Sequence, residues 1–181
     1  FRMNETTLKA VLKSFFEVFP EGFVLSSERS LILVGSNGPI ILDETRAREV
    51  LARPALSARL GRHGVKDAND LLWYYVLARG EALALAGDSP GNLDRNILSE
   101  VELARLTRDP KGADDPEAIL RAAGRMDPTH LLEDNSPQRL AQFADYLIAQ
   151  ESFDKAQAAI QQLRAGDPDA AQSLELRLLL A

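Results

Sequence analysis

Cysteine is absent from the 181 residues, which excludes disulfides, thiolate metal sites and cysteine nucleophiles. The same absence fits a reducing compartment, and the expected location is the cytoplasm. Histidine occurs only at His63 and His130, and neither has a second histidine or a carboxylate at metal-ligand spacing. The HExxH, GxSxG, Walker A and GxGxxG patterns are missing, which leaves no signature of zinc hydrolysis, a serine nucleophile or phosphate cradling. No apolar run approaches the roughly 20 residues needed to span a bilayer, and no basic–apolar leader resembles a signal peptide. Basic residues are in deficit: 21 Lys and Arg stand against 27 Asp and Glu, a net charge of −6. Residues 111–181 alone hold 7 basic against 12 acidic residues, or −5 of that total. A phosphate backbone needs clustered Lys and Arg, so nucleic acid is not an expected partner. An initiator methionine is also lacking at Phe1, and the chain closes on the apolar helix LELRLLLA. The expectation is a piece of a longer protein.

What is present is 45% hydrophobic and 27% charged, the balance of a globular domain with a core. A helix is predicted over about Glu5–Val18, with Asn4 or Thr6 as N-cap and Leu8, Val11, Leu12, Phe15 and Phe16 on one apolar stripe. The turn Pro20–Glu21–Gly22 follows, then strands at Gly22–Ser26 and Leu31–Val34. The second is short and uniformly apolar, as expected of a strand buried on both faces. Asn37–Gly38 makes the next turn, and Pro39 opens a third strand, Ile40–Leu42. An aromatic cofactor box at Phe15, Phe16 and Phe19 is the functional alternative to a packed core.

The order Phe15, Val18, Phe19, Pro20, then Leu31, Leu33, Val34, Gly35, Ser36, Pro39, Leu42 and Asp43 resembles the later part of spermidine-synthase-like proteins, the aminopropyltransferase relatives. In that family a helix leads into an F..vFP corner and a strand pair ending lLvGs..p..lD. The likeness is closest to the bacterial branch with extra segments fused to the synthase-like domain. It implies a Rossmann-like parent that binds decarboxylated S-adenosylmethionine through a glycine-rich loop and acidic residues located upstream. The family's catalytic aspartate is upstream as well. No catalytic, cofactor or metal residue is therefore assigned in this chain, and no cofactor is expected here. Any membrane segments of the parent would also precede it.

Asp43 should cap a helix over Glu44–Leu51, and Pro54 should open another over Ala55–Leu60, closed by Gly61. Asp67 or Asn69 begins an apolar helix through Leu71–Ala78, stopped by Gly80. Its aromatic run Trp73–Tyr74–Tyr75 either packs the core or lines a groove. A short helix, Glu81–Ala86, ends at Gly87. The loop Gly87–Asn96 is similar to the family's NTDd.p.lE segment through Asn92, Asp94, Arg95 and Glu100, and departs from it at Leu93 and Asn96. Capping and local pairing are the alternative roles for these residues.

Thr107–Pro116 is dense in Pro, Gly and Asp and reads as a linker. A helix is predicted from Pro116 or Glu117 to about Arg125. Residues Pro137–Ala170 resemble one tetratricopeptide repeat, a unit of about 34 residues. Leu140, Phe143, Ala144 and Leu147 serve its first helix, and Phe153, Ala156, Ile160 and Leu163 its second. Asp154 is expected to cap that second helix, and Pro168 to close the unit. Ala171–Leu180 looks like the start of a further repeat, with Leu174, Leu176, Leu178 and Leu179 as an open interaction surface.

The expected architecture is thus an α/β remnant, with short antiparallel strands plus helices from a Rossmann-like aminopropyltransferase fold, followed by an all-α repeat-like region. The chain is mostly helical overall. The expected division is 1–106, linker 107–116, and 117–181. The expected role is that of a non-catalytic scaffold and interaction region, with the rest of the parent, a second copy and a protein held by the helical tail as partners. A repeat-like interaction module without an enzymatic parent is the alternative.

Overall fold

The computed structural model describes residues 3–27, 30–92, 114–124 and 126–181. Within them the chain is mostly helical with one small sheet, and its residues gather into two compact units. Phe1–Ile40 and Val76–Gly124 make the first; Ile41–Tyr75 and Arg125–Ala181 make the second. Residues 107–113 of the expected linker lie outside the described residues.

The first unit starts with helix α1, Glu5–Val18, capped by Asn4, whose side chain accepts from Thr7 N at 2.8 Å. Leu8, Leu12 and Phe16, four apart, are fully buried. Strands β1 (Glu21–Ser27) and β2 (Ser30–Ser36) pair antiparallel in the register Gly22↔Gly35, Val24↔Leu33, Ser26↔Leu31. Those facing residues share the side that packs on α1. The two glycines are required there. A β-carbon at Gly22 would stand 2.4 Å from Val34 O and 2.7 Å from the Phe16 ring, and one at Gly35 would stand 2.5 Å from the Phe19 ring. The phenylalanines occupy the space that side chains would have filled. The Phe15 ring touches those of Phe16 and Phe19, with centroids at 5.1 and 4.8 Å; Phe16 is fully buried, and Phe15 and Phe19 are half-buried.

Strand β3, Tyr75–Ala78, completes the sheet in the order β2–β1–β3. Two expectations are corrected here. Leu31–Val34 is an edge strand and not an internal one: Ile32 is 52% exposed, and Leu31, Leu33 and Val34 are only half-buried. Val24 on the central strand is the fully buried position. The third strand is also not Ile40–Leu42, where only Leu42 forms an isolated parallel bridge, to Leu132.

Helix α5, Arg79–Ala86, begins where β3 ends, because Glu81 reaches back to accept from Ala78 N at 2.9 Å. Gly80 sits inside this helix and does not stop one. Arg79 Nε donates to Phe16 O and Phe19 O at 3.2 and 2.9 Å, satisfying carbonyls that the end of α1 leaves open. Helix α6, Pro116–Ala123, is capped by Asp115. It ends at Gly124, where a β-carbon would fall 2.1 Å from Leu77 Cδ2 and 2.9 Å from Val76 O.

The second unit holds α2 (Glu44–Leu51), α3 (Pro54–Gly61) and α4 (Ala68–Trp73), then α7 (Pro137–Ala149), α8 (Phe153–Arg164) and α9 (Pro168–Leu180). Asp43 caps α2 by accepting from Arg46 N at 2.6 Å. The helix expected over Leu71–Ala78 is overturned: it starts at Ala68 under an Asp67–Asp70 capping box, stops at Trp73, and its aromatic and β-branched remainder is β3. The last three helices fold back on one another. Phe143, Ala144, Leu147, Ala156, Ala159, Ile160, Leu163 and Ala171 are sealed between them. Gly166 marks a close approach, since a β-carbon there would meet Pro137 Cγ at 2.9 Å. Ser152, without a side-chain cap bond, occupies the N-cap of α8; Asp154 lies within the first turn and is not the cap.

Candidate functional site

The family-like segment is described only at its start. The backbone N–H of Asn92 donates to Ser14 Oγ at 2.6 Å and is 3.4 Å from Ala10 O, which ties this end of the segment to α1. Asp94, Arg95 and Glu100 lie outside the described residues.

Three acidic residues, Asp114, Asp115 and Asp134, hold backbone. Asp114 accepts from Glu5 N at 2.8 Å, beside the Met3–Asp114 bridge, and Asp115 caps α6. Asp134 accepts from the backbone N and the hydroxyl of Ser136, and these bonds, the backbone one foremost, hold its carboxyl below the usual carboxylate range. His130 Nδ1 lies 3.0 Å from Asp127 O, and its ring meets the buried ring of Tyr75 edge-on at 5.6 Å. His63 contributes its carbonyl, which accepts from Tyr74 Oη at 2.6 Å. Among the described residues no group of His, Asp or Glu is placed to hold a metal ion, and no helix is long and apolar enough to cross a membrane.

The expected interaction surface divides in two. Leu174 is buried, 7% exposed, and belongs to the core of the second unit; it is withdrawn from that surface. Leu178 is half-buried. Leu176 and Leu179 are exposed at 57% and 82%, and Leu180, which the sequence reading left out, at 88%. Helical spacing explains the split: Ala171 and Leu174 lie three apart on the face against α8, and Leu176 falls on the opposite one. Three large apolar side chains are thus left exposed at one helix end.

Sequence reasoning missed a polar seam in the same unit. Arg139, at the start of α7, is almost fully covered. Its Nε and Nη2 meet Glu44 Oε1 at 2.8 Å, its Nη2 donates to Asn69 Oδ1 at 2.6 Å, and its guanidinium carbon stands 5.6 Å from the Phe143 ring centre. One turn pair further along α7, Tyr146 Oη donates to Asp70 Oδ1 at 2.5 Å. Burial, then the Asp70 carboxylate, push the Tyr146 phenol well above its ordinary value. On α8, buried Lys155 donates to Trp73 O and lies 5.7 Å from the Trp73 ring centre. These groups tie α4 to α7 and α8, while Trp73 stays 37% exposed. The signal available in the sequence was the seven-residue step Arg139–Tyr146, which places both on one helix face, but nothing there names partners some 70 to 95 residues away.

No protein-family model, no curated protein and no solved structure matches this chain.

Proposed function

We propose that this chain is a non-catalytic scaffold and interaction region, with its helical unit as the docking part, in a protein related to the spermidine synthases. The kinship rests on the ordered residues from Phe15 to Asp43. A tetratricopeptide-like character for α7, α8 and α9 is supported by helix boundaries that fall where a repeat needs them and by the small, fully buried Ala144 and Ala156 on its first two helices. Aminopropyl transfer from decarboxylated S-adenosylmethionine would be the work of the parent's nucleotide-binding part.

The observation that carries the interaction role is the exposure of Leu176, Leu179 and Leu180 at the end of α9. Covering them with a second copy, or with the helix of a partner, returns roughly 1.5–3 kcal/mol per fully buried leucine. Light scattering tests the simplest version. The chain is expected to show a dimer mass that rises with concentration, and Leu176→Glu with Leu179→Glu is expected to return it to monomer. A monomer mass for the unaltered chain at every concentration removes self-association. Calorimetric titration with S-adenosyl compounds is expected to show no site, and a stoichiometric micromolar one overturns the non-catalytic reading.

A further inference from the structure

We propose that Asn37–Gly38 is a site of spontaneous covalent modification, in which Asn37 closes to a succinimide and opens to aspartate or isoaspartate, and that the Ser36 hydroxyl restrains the reaction. Asparagine is the thermolabile amide of proteins, and its ring closure needs a following residue with an uncrowded backbone nitrogen. Six asparagines occur in the chain, and Asn37 is the one followed by glycine.

The structure separates Asn37 from the others that it describes. The Asn4 side chain accepts from Thr7 N at 2.8 Å and caps α1. Asn69 Oδ1 accepts from Arg139 at 2.6 Å, and Asn135 Nδ2 donates to Leu132 O at 3.4 Å. Asn92 is held through its backbone to Ser14. The Asn37 side chain is exposed and has no hydrogen-bond partner among the described residues. It lies just past β2, outside the ladder, and nothing stands within 4 Å of where a Gly38 β-carbon would be. The Gly38 peptide therefore has room to turn toward the Asn37 carboxamide.

One contact opposes that movement. Gly38 N–H donates to Ser36 Oγ at 3.1 Å, the local side-chain-to-backbone bond characteristic of serine in turns. Reaction requires this N–H to leave the hydroxyl, lose its proton to water and attack Asn37 Cγ. The new N–Cγ bond forms as the carboxamide nitrogen departs with a proton as ammonia. Water then opens the ring at either carbonyl. One opening leaves aspartate; the other leaves isoaspartate, with the main chain rerouted through the former side chain and lengthened by one atom. Either product changes the formal charge from −6 to −7 and places the new carboxylate in the connection from β2 to α2.

The test is incubation of the full chain at neutral pH and body temperature, with peptide mapping by mass spectrometry and methyl labelling by a protein-isoaspartate methyltransferase. The peptide holding Asn37 should gain the unit mass of amide-to-acid conversion before any other described asparagine and should accept the methyl label. Gly38→Ala should abolish both signals over the same period. Ser36→Ala should convert about fivefold faster, the factor set by one lost neutral hydrogen bond. In urea the other asparagines should speed up far more than Asn37 does. An Asn37 peptide that stays intact while Asn135 or Asn69 converts, or a Gly38→Ala chain that converts at the original rate, overturns the assignment. A Ser36→Ala rate no faster than that of the unaltered chain overturns the restraint.

Discussion

Gly22→Ala tests whether the first unit is built on the approach of α1 to the paired strands. The new methyl would sit 2.4 Å from Val34 O, a backbone atom of the paired strand, and 2.7 Å from Phe16 Cε1, which is fully buried. Ordinary contact lies near 3.5–4 Å, so relief requires opening the β1–β2 ladder or displacing Phe16 from the core. Overpacking of this kind costs typically about 1–3 kcal/mol. Replacing glycine by alanine returns about 0.4–1 kcal/mol by restricting the unfolded chain. With a backbone oxygen as the nearest obstacle the cost belongs at the upper end, so the net loss should be about 1–2.5 kcal/mol, a fall in Tm of roughly 3–8 °C. Circular dichroism melts read this directly. Gly35→Ala is the comparison, because its obstacle at 2.5 Å is the Phe19 side chain alone. Phe19→Ala should therefore rescue Gly35→Ala largely, whereas shortening Phe16 to leucine should rescue Gly22→Ala only in part. A Gly22→Ala variant that melts at or above the original temperature would refute the packing of Phe16 on that glycine.

Glu151, in the turn between α7 and α8, has φ of 56°. Glu151→Gly should raise stability by about 1 kcal/mol in urea titration, since glycine carries no penalty in the left-handed region. Arg139→Ala should cost about 2–3 kcal/mol in the same assay, less than the 3–5 kcal/mol of a fully buried pair because Glu44 keeps some solvent contact. The folded chain holds the Tyr146 phenol proton more tightly than the unfolded one. Its contribution is thus complete below the ordinary tyrosine pKa of about 10 and declines as pH rises above it. Tyr146→Phe should flatten that alkaline decline, and an unchanged slope in melts across this range counts against the Asp70 contact.

The helices were legible wherever the chain carries its own punctuation. Asn4 and Asp43, the caps expected from the sequence, each accept from a backbone N–H three residues on, so a cap written in the sequence became a cap in the fold. The strands were less legible because an apolar run does not say which of its neighbours will cover it. LILV, read as internal, lies at the sheet edge, and the central place goes to GFVLS, with Val24 and Ser26 buried. YVLA was read as helix because Leu71 to Ala78 is continuously apolar, and a short apolar tract has no period to decide between the two. At the helix end, apolar character marked the leucines, but burial of Leu174 and exposure of Leu180 depend on where α8 lies.

The residues with the most local sequence signal thus shape individual elements, and those with the least hold elements together. Arg79 closes the end of α1 from sixty residues away, and Arg139 joins α7 to both α2 and α4. Arg139 uses its planar fork, Nε and Nη2, and Arg79 shares its single Nε–H between two acceptors; only the folded chain brings these acceptors within reach. Arg79 meets two carbonyls at one helix terminus, while Arg139 meets a carboxylate and an amide on different helices. Lysine in place of Arg139 would supply the charge without the fork, so Arg139→Lys is not a conservative change here. A solvent-exposed arginine such as Arg46, paired with Glu49 on its own helix, holds nothing distant and should accept lysine with little loss. The physical difference between these arginines is the burial and position of their acceptors, and a sequence does not record either.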